Sequence, residues 1–92
     1  MIILGKGCIV DFNKIDAIYI FDERRYFNDD GEELYVIPKE SSDYTKKDVY
    51  KIVVGINSEN YELAKFDDFE EAEAELKNIY YALAQNCDYY KV

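Results

Sequence analysis

One amphipathic stripe near the end of the chain constrains the fold more than any other feature of the sequence. Its apolar side chains recur at spacings of three and four residues, at Phe69, Ala72, Leu76, Ile79, Tyr80, Leu83 and Cys87. At 3.6 residues per turn, this spacing places them along one face of a helix. Asp68 suits the N-cap position, and Glu71 three residues later completes a capping box. The pattern predicts one helix over residues 68–87, with Leu76 and Ile79 buried against the rest of the domain.

Upstream of this helix, the apolar residues fall in short runs that turns separate. The strongest turn signal is Asn28-Asp29-Asp30-Gly31, because an Asp-Gly pair tolerates the positive φ of tight hairpins. Residues 34–37 form the returning strand, and Pro38 ends it because proline cannot donate to a ladder. Residues 39–48 are expected to form a solvated loop, and residues 50–56 alternate in polarity as a strand does.

Counted along the chain, these runs make five or six short strands, each joined to the next by a turn. Sequential strands with short connections pair side by side and antiparallel. The expected fold is therefore α+β: an antiparallel five- or six-stranded meander, or a half-barrel, with one C-terminal helix packed on it. The 92 residues are enough for a single domain with one hydrophobic core.

The charge balance limits the partners. The chain carries 20 acidic and 11 basic residues, a net charge of −9. Such a charge repels phosphate backbones and anionic membranes, and no run approaches the roughly 20 apolar residues of a membrane span. The first residues carry no cleavage signature of a signal peptide. The expectation is a cytoplasmic protein that binds neither nucleic acid nor membrane directly and whose partner is a basic protein.

Several kinds of chemistry lack their usual residues. Histidine is absent, which removes the commonest general base and metal ligand. Gly5-Lys6-Gly7 lacks the spacing of a phosphate-binding loop. The acidic turn at residues 28–31 fails as a calcium loop, because Tyr26 and Ile37 would hold its first and last ligand positions. Cys8 and Cys87 are expected to be small buried side chains without a disulfide. The sequence predicts no enzyme and no need for a metal, nucleotide or other cofactor.

The junction between the last strand and the helix carries a longer pattern. It consists of Tyr61, Leu63, Ala64, Phe66, Asp68, Glu70, Glu71, Ala72, Leu76 and Ile79, with the run Ile9-Val10-Asp11-Phe12 and Ile15 upstream. In this pattern the chain resembles a loose group of short, mostly uncharacterised proteins of Gram-positive bacteria and their prophages. It departs from them at Ala64, where glycine is common, and in its tail, where Tyr89-Tyr90-Lys91-Val92 replaces Tyr-x-Met-Pro. The resemblance implies a mobile-element context and transfers no catalytic residue.

Two features of the predicted helix indicate a binding surface. The first is a run of carboxylates at its start, Asp67, Asp68, Glu70, Glu71 and Glu73, which an N-cap and the helix dipole also explain. The second is Tyr81, which lies opposite the apolar stripe among Ala74, Asn78, Ala82 and Gln85. Tyrosine is enriched at interfaces, although Tyr89, Tyr90 or a second copy in a homodimer would also cover this side chain. We predict that the five acids and Tyr81 bind a basic protein.

Two classes of function remain open. The first is an interaction protein: a small acidic inhibitor or adaptor, encoded by a phage, that occupies a basic surface on a host nucleic-acid-handling protein such as a CRISPR or restriction effector. The alternative is a small-molecule-binding module that uses the cleft between sheet and helix, lined by the strand tyrosines Tyr19, Tyr35, Tyr50 and Tyr61. The acidic helix start and the net charge favour the first class.

Overall fold

The computed structural model describes residues 1–36 and 43–92. These residues form seven strands in two sheets, one helix and a 3₁₀ turn. The strands are β1 (Ile2–Leu4), β2 (Ile9–Asp11), β3 (Ala17–Phe27), β4 (Glu33–Leu34), β5 (Thr45–Ile56), β6 (Glu59–Phe66) and β7 (Tyr89–Lys91); the helix is α1 (Phe69–Ala84), and the 3₁₀ turn is Phe12–Lys14. The predicted α+β class with one C-terminal helix is confirmed.

The larger sheet has the order β4-β3-β5-β6 and is antiparallel throughout. Its centre is the long pair of β3 and β5, which runs from Ala17 opposite Gly55 to Phe27 opposite Thr45. A two-residue hairpin joins β5 to β6, and both of its residues, Asn57 and Ser58, have positive φ. Such a turn matches the twist of the flanking strands and closes them tightly.

The smaller sheet has the order β2-β1-β7 and contains a parallel pair. Ile3 of β1 lies opposite Val10 of β2 on one side and beside Tyr90 of the parallel β7 on the other. This corrects the expectation of one antiparallel meander: the described residues make two sheets of three and four strands, and neither is closed into a barrel. Parallel pairing needs a long crossover, and here the crossover is most of the domain, so no local pattern encodes it.

Two predicted boundaries also change. The strand that returns from the turn at residues 28–31 is only β4, because Tyr35 and Val36 bend away and are exposed; Ile37 and Pro38 lie outside the described residues. The expected loop at residues 39–48 is a strand from Thr45 onward. Lys46 and Lys47 are exposed at this end of the long β3–β5 pair, whereas Asp48 is half-buried with its Oδ1 3.7 Å from Arg24 Nε. Residues 39–42 lie outside the described part of the chain.

The core lies between the two sheets and α1. Its fully buried side chains come from every layer and are Ile3, Ile52, Leu63, Ile79 and Val54. Ile52 and Val54 share one face of β5, as the alternation predicts. In β6 the alternation fails, because a bulge opposite Ile52 and Val53 turns both Leu63 and Ala64 into the core.

The buried face of α1 is rotated from the predicted stripe. Ala72 and Ile79 are buried as expected, but Leu76 is only half-buried and Tyr80 is exposed. Ala82, placed by the sequence in the outward patch, is buried instead. Ala82 lies two helical turns after Glu75, on the flank of α1 that contacts β7 through the hydrogen bond from Tyr90 to Glu75.

The helix also ends earlier than predicted, at Ala84 instead of residue 87. Asn86 has a φ of 56°, and its backbone N–H donates to the Leu83 carbonyl while that of Cys87 donates to Ala82. A left-handed asparagine at this position ends the helix and satisfies its last carbonyls. The chain is then free to turn into β7.

Truncation of Ile79 and of Leu76 separates full from partial burial on the same helix. Ile79→Ala should lower the free energy of unfolding by roughly 2–5 kcal/mol, because the cavity left in the core cannot collapse completely. Leu76→Ala should cost at least about 1 kcal/mol less, since part of its side chain already contacts water. Urea denaturation of both variants measures the difference. Equal losses would contradict the rotated packing of α1.

Candidate functional site

The acidic residues at the start of α1 are all exposed. Asp68 is the N-cap: its Oδ1 accepts from the backbone N–H of Glu70 at 3.1 Å. Asp67 lies 3.4 Å from the Lys47 ammonium group, and Glu73 lies 3.5 Å from Lys77 one turn along the helix. Glu70 and Glu71 stand in the first helical turn, where the helix dipole favours negative charge. The predicted acids therefore form one surface, in which three members already have a structural partner.

Tyr81 lies on the outward side of α1, with 56% of its surface exposed. It shares this side with Glu70, which is about three helical turns or roughly 16 Å nearer the start of the helix. Tyr90 does not cover Tyr81, because its own hydroxyl donates to Glu75 at 2.7 Å and its ring packs on the core. The structure thus places the acids and Tyr81 on one helix but at opposite ends of it.

Tyr80 also belongs to this surface, although the sequence pattern predicted that it would face the core. It is 65% exposed, and its ring meets Tyr81 edge to face with the centroids 5.8 Å apart. We call these two residues the aromatic pair. Tyr80 lies at the margin of the apolar stripe, and this position was the indication in the sequence that its side chain could be exposed. Edge-to-face contact favours this arrangement of the two rings and leaves both exposed to solvent.

The cleft between α1 and the large sheet is apolar and contains one tyrosine. It encloses about 200 Å³ and is lined by Phe12, Ile18, Leu76, Ile79, Tyr80 and Leu83. The strand tyrosines lie elsewhere: Tyr50 packs edge to face on Phe69, Tyr35 is almost fully exposed, and Tyr19 donates to Asn60. The expectation of a tyrosine-lined cleft is therefore wrong about the lining.

A larger cavity, of about 510 Å³, lies between the small sheet and the end of the β5–β6 hairpin. Its lining is mostly apolar and consists of Ile2, Cys8, Ile9, Val10, Asp11, Lys14, Ile56 and Tyr61. The Cys8 Sγ lies 3.4 Å from the Glu62 carbonyl oxygen, and burial together with the Glu62 charge raises the pKa of the thiol. A protonated thiol is a poor nucleophile. The cavity therefore offers shape and apolar contact and no activated nucleophile.

The outer face of the large sheet carries an ion-pair network that the sequence did not reveal. The Lys51 Nζ lies 2.7 Å from Glu23 Oε2 and 3.2 Å from Glu62 Oε1, and Arg25 also reaches Glu23 at 3.2 Å. The hydrogen bond to Glu23 raises the pKa of Lys51, and the same bond lowers the pKa of Glu23. These cations are neutralised by carboxylates of the same face, so they form no positive patch for phosphate groups.

Among residues 1–36 and 43–92, no three cysteine or carboxylate side chains come together as metal ligands. No helix in that part of the chain is long and apolar enough to cross a membrane. No family model, curated protein or solved structure gives a significant match to the chain.

Replacement of Glu23 by glutamine tests the ion-pair network. Because folding lowers the pKa of Glu23, its ionised form stabilises the fold above the unfolded-state pKa of about 4.3. That stabilisation is lost as the pH falls through the lower folded-state pKa. Glu23→Gln should therefore melt about 4 °C below the wild type at neutral pH, since a lost charged hydrogen bond costs about 1 kcal/mol.

The difference in melting temperature should shrink as the pH falls through the lowered folded-state pKa of Glu23, because the wild-type carboxyl group is then also protonated. Asp29→Asn, a neutralisation in the exposed turn, is the matched control and should melt like the wild type at every pH. A difference that persists in acid would show that the side-chain amide disturbs packing and that the network adds nothing.

Proposed function

We propose that this protein is a small acidic interaction module that binds a basic surface of another protein through the outward side of α1. The observation that carries the proposal is the joint exposure of Glu70, Glu71 and the aromatic pair on a single rigid helix. Charge and aromatic groups act at different ranges, so the two ends of the helix have different tasks.

The acidic end attracts the partner. Between Asp67 and Glu75 there are six acids and no base, and the net charge of the whole chain has the same sign. Such a cluster raises the association rate with a positive surface. Screening shortens its reach to about 8 Å at physiological ionic strength. The attraction is therefore strongest in dilute salt.

The aromatic pair holds the partner once it has docked. Tyr80 and Tyr81 are large, amphipathic and oriented by their mutual contact, so little side-chain entropy is lost when a pocket closes over them. Residues of this type are common among the few that dominate binding energy. Their loss is felt mainly in the dissociation rate.

The partner class follows from the charge. Surfaces with dense lysine and arginine are those that hold phosphate backbones, and an acidic helix competes with nucleic acid for them. We infer a host nucleic-acid-handling protein, such as a CRISPR or restriction effector, and an inhibitory role for this chain. The resemblance to prophage proteins supports this context, because it implies a mobile element that benefits from disabling a host defence.

A second candidate function is the binding of a small molecule in the cavity of about 510 Å³, in place of the sheet–helix cleft. The observation that favours it is the size of the cavity, which falls within the roughly 300–1,000 Å³ of ligand sites. Asp11 and Lys14 at its lining supply one charge of each sign. A ligand of this site would be mostly apolar with a single polar end.

Binding kinetics separate the two ends of the proposed surface. The partner is captured from host lysate at low salt, identified and purified, and its association is followed by surface plasmon resonance. Glu70→Lys with Glu73→Lys should slow association about tenfold at about 0.05 M salt, with a smaller effect at about 0.5 M. Tyr81→Ala should speed dissociation about tenfold at either salt concentration.

Matched controls test whether position matters and not only composition. Asp29→Lys with Asp30→Lys changes the net charge equally at the exposed turn, and Tyr35→Ala removes an exposed tyrosine outside α1. Both controls should bind like the wild type. Asp68 is left intact, because loss of the N-cap costs about 1 kcal/mol of stability. Wild-type kinetics in both test variants would place the binding surface elsewhere and end the proposal.

A further inference from the structure

The outward edge of β3 is open over most of its length. On that side β4 pairs only with Tyr26 and Phe27, and within the described residues no strand pairs with residues 17–25. Backbone N–H and C=O groups of an open edge accept another strand. Proteins commonly guard such an edge with charge, and the far half of this one carries Asp22, Glu23 and two arginines.

The near half of the same edge is unguarded. Residues 17–21 are Ala-Ile-Tyr-Ile-Phe and carry no charge. On the outer face of the sheet, Tyr19 and Phe21 are 38% and 50% exposed. On the inner face, Ile18 opens into the apolar cleft beside α1, whose rim is the exposed Tyr80. Apolar surface therefore flanks the open backbone edge on both faces of the sheet.

We propose that a second copy of the chain occupies this edge and pairs with it antiparallel through residues 17–21. In a two-fold dimer that continues the sheet, residues opposite each other point to the same face. One residue must then lie opposite its own copy, and the two-fold axis passes between these two copies. With the axis at Tyr19, Ala17 faces Phe21 of the second copy and Ile18 faces its Ile20. All five pairs are uncharged, and a small side chain meets a large one on the outer face.

Other registers bring charge against apolar groups. An axis at Ile20 sets Ile18 against Asp22, and an axis at Phe21 sets Ile18 against Arg24. Either arrangement would set a charged side chain against the apolar Ile18 and partly remove that charge from water. With the axis at Tyr19, residues 17–21 of one copy pair with residues 17–21 of the other. A two-fold interface requires this kind of self-complementary surface.

In this register Asp22 of each copy comes opposite Asp16 of the other, one residue beyond the uncharged pairs. Asp16, the acid nearest the start of β3, accepts from the backbone N–H of Asn57 at 3.1 Å and so is held at the β5–β6 turn. Glu70 and Tyr81 lie on the outward, exposed side of the helix. The dimer joins two four-stranded sheets into one and places both helices on the same face. This inference does not rest on the function proposed above, because the paired edge is in β3 and the two surfaces share only Tyr80 at the rim of the cleft.

Sedimentation velocity over about 5–200 µM protein, at about 0.15 M salt, tests the dimer. The wild type should sediment with twice the mass of one chain at the upper end of this range. Tyr19→Lys with Phe21→Lys should raise the dissociation constant about 100-fold or more, because each change acts twice in a symmetric interface and sets like charges together. Tyr89→Lys, at an exposed tyrosine of β7 outside the proposed interface, should dimerise like the wild type.

A measurement on the unaltered chain guards against a folding artefact. Amide hydrogen exchange of residues 17–21 should slow several-fold as the protein concentration rises through the dimer range, while that of residues 57–58 stays constant. Circular dichroism confirms that the double variant is folded. A wild type that remains monomeric at about 200 µM overturns the inference and leaves the edge to a strand of another protein. A double variant that is folded and dimerises normally overturns it equally.

Discussion

The parallel pairing of β7 with β1 is the contact on which the rest of the structure depends. It brings the last strand of the chain beside the first, with backbone hydrogen bonds from Ile2 to Asp88 (2.9 Å) and from Val92 to Leu4 (3.0 Å). The small sheet that results supplies Ile3, one of the fully buried side chains of the core. A core of this size cannot lose a whole layer and remain stable.

The same pairing fixes the position of α1. Tyr90 of β7 donates to Glu75 on the helix, and burial with this hydrogen bond raises the pKa of Tyr90 to about 12. The small sheet is held to the large one by the Lys6 N–H, which donates to the Leu63 carbonyl at 2.9 Å. The helix α1 packs on the large sheet through Ile79 and contacts β7 through Glu75. Its outward side, with Tyr81, and its side nearest β3, with Tyr80, therefore stay exposed. Both proposed contact surfaces are consequences of that placement.

Local chemistry predicted the parts of the fold that local chemistry controls. The Asp68 cap and the turn at residues 28–31 follow from hydrogen bonding and backbone preference within a few residues, and the structure has both. Long-range features could not be predicted in this way. The parallel strand pair, the bulge that buries both Leu63 and Ala64, and the burial of Ala82 depend on which elements meet in space. The exposure of the helix acids and Tyr81 was predictable from periodicity, whereas the role of Tyr80 depended on how far α1 is rotated.

The central claim is that the β1–β7 pair is part of the cooperative core and not a loose attachment at the chain ends. Native-state amide hydrogen exchange tests it most directly, because core amides exchange only through global unfolding. We expect the amides of Ile3 and Tyr90 to exchange with the same opening free energy as that of Ile52 in the large sheet. An opening free energy for Tyr90 several kcal/mol below that of Ile52 would show that β7 detaches locally, and would contradict the claim.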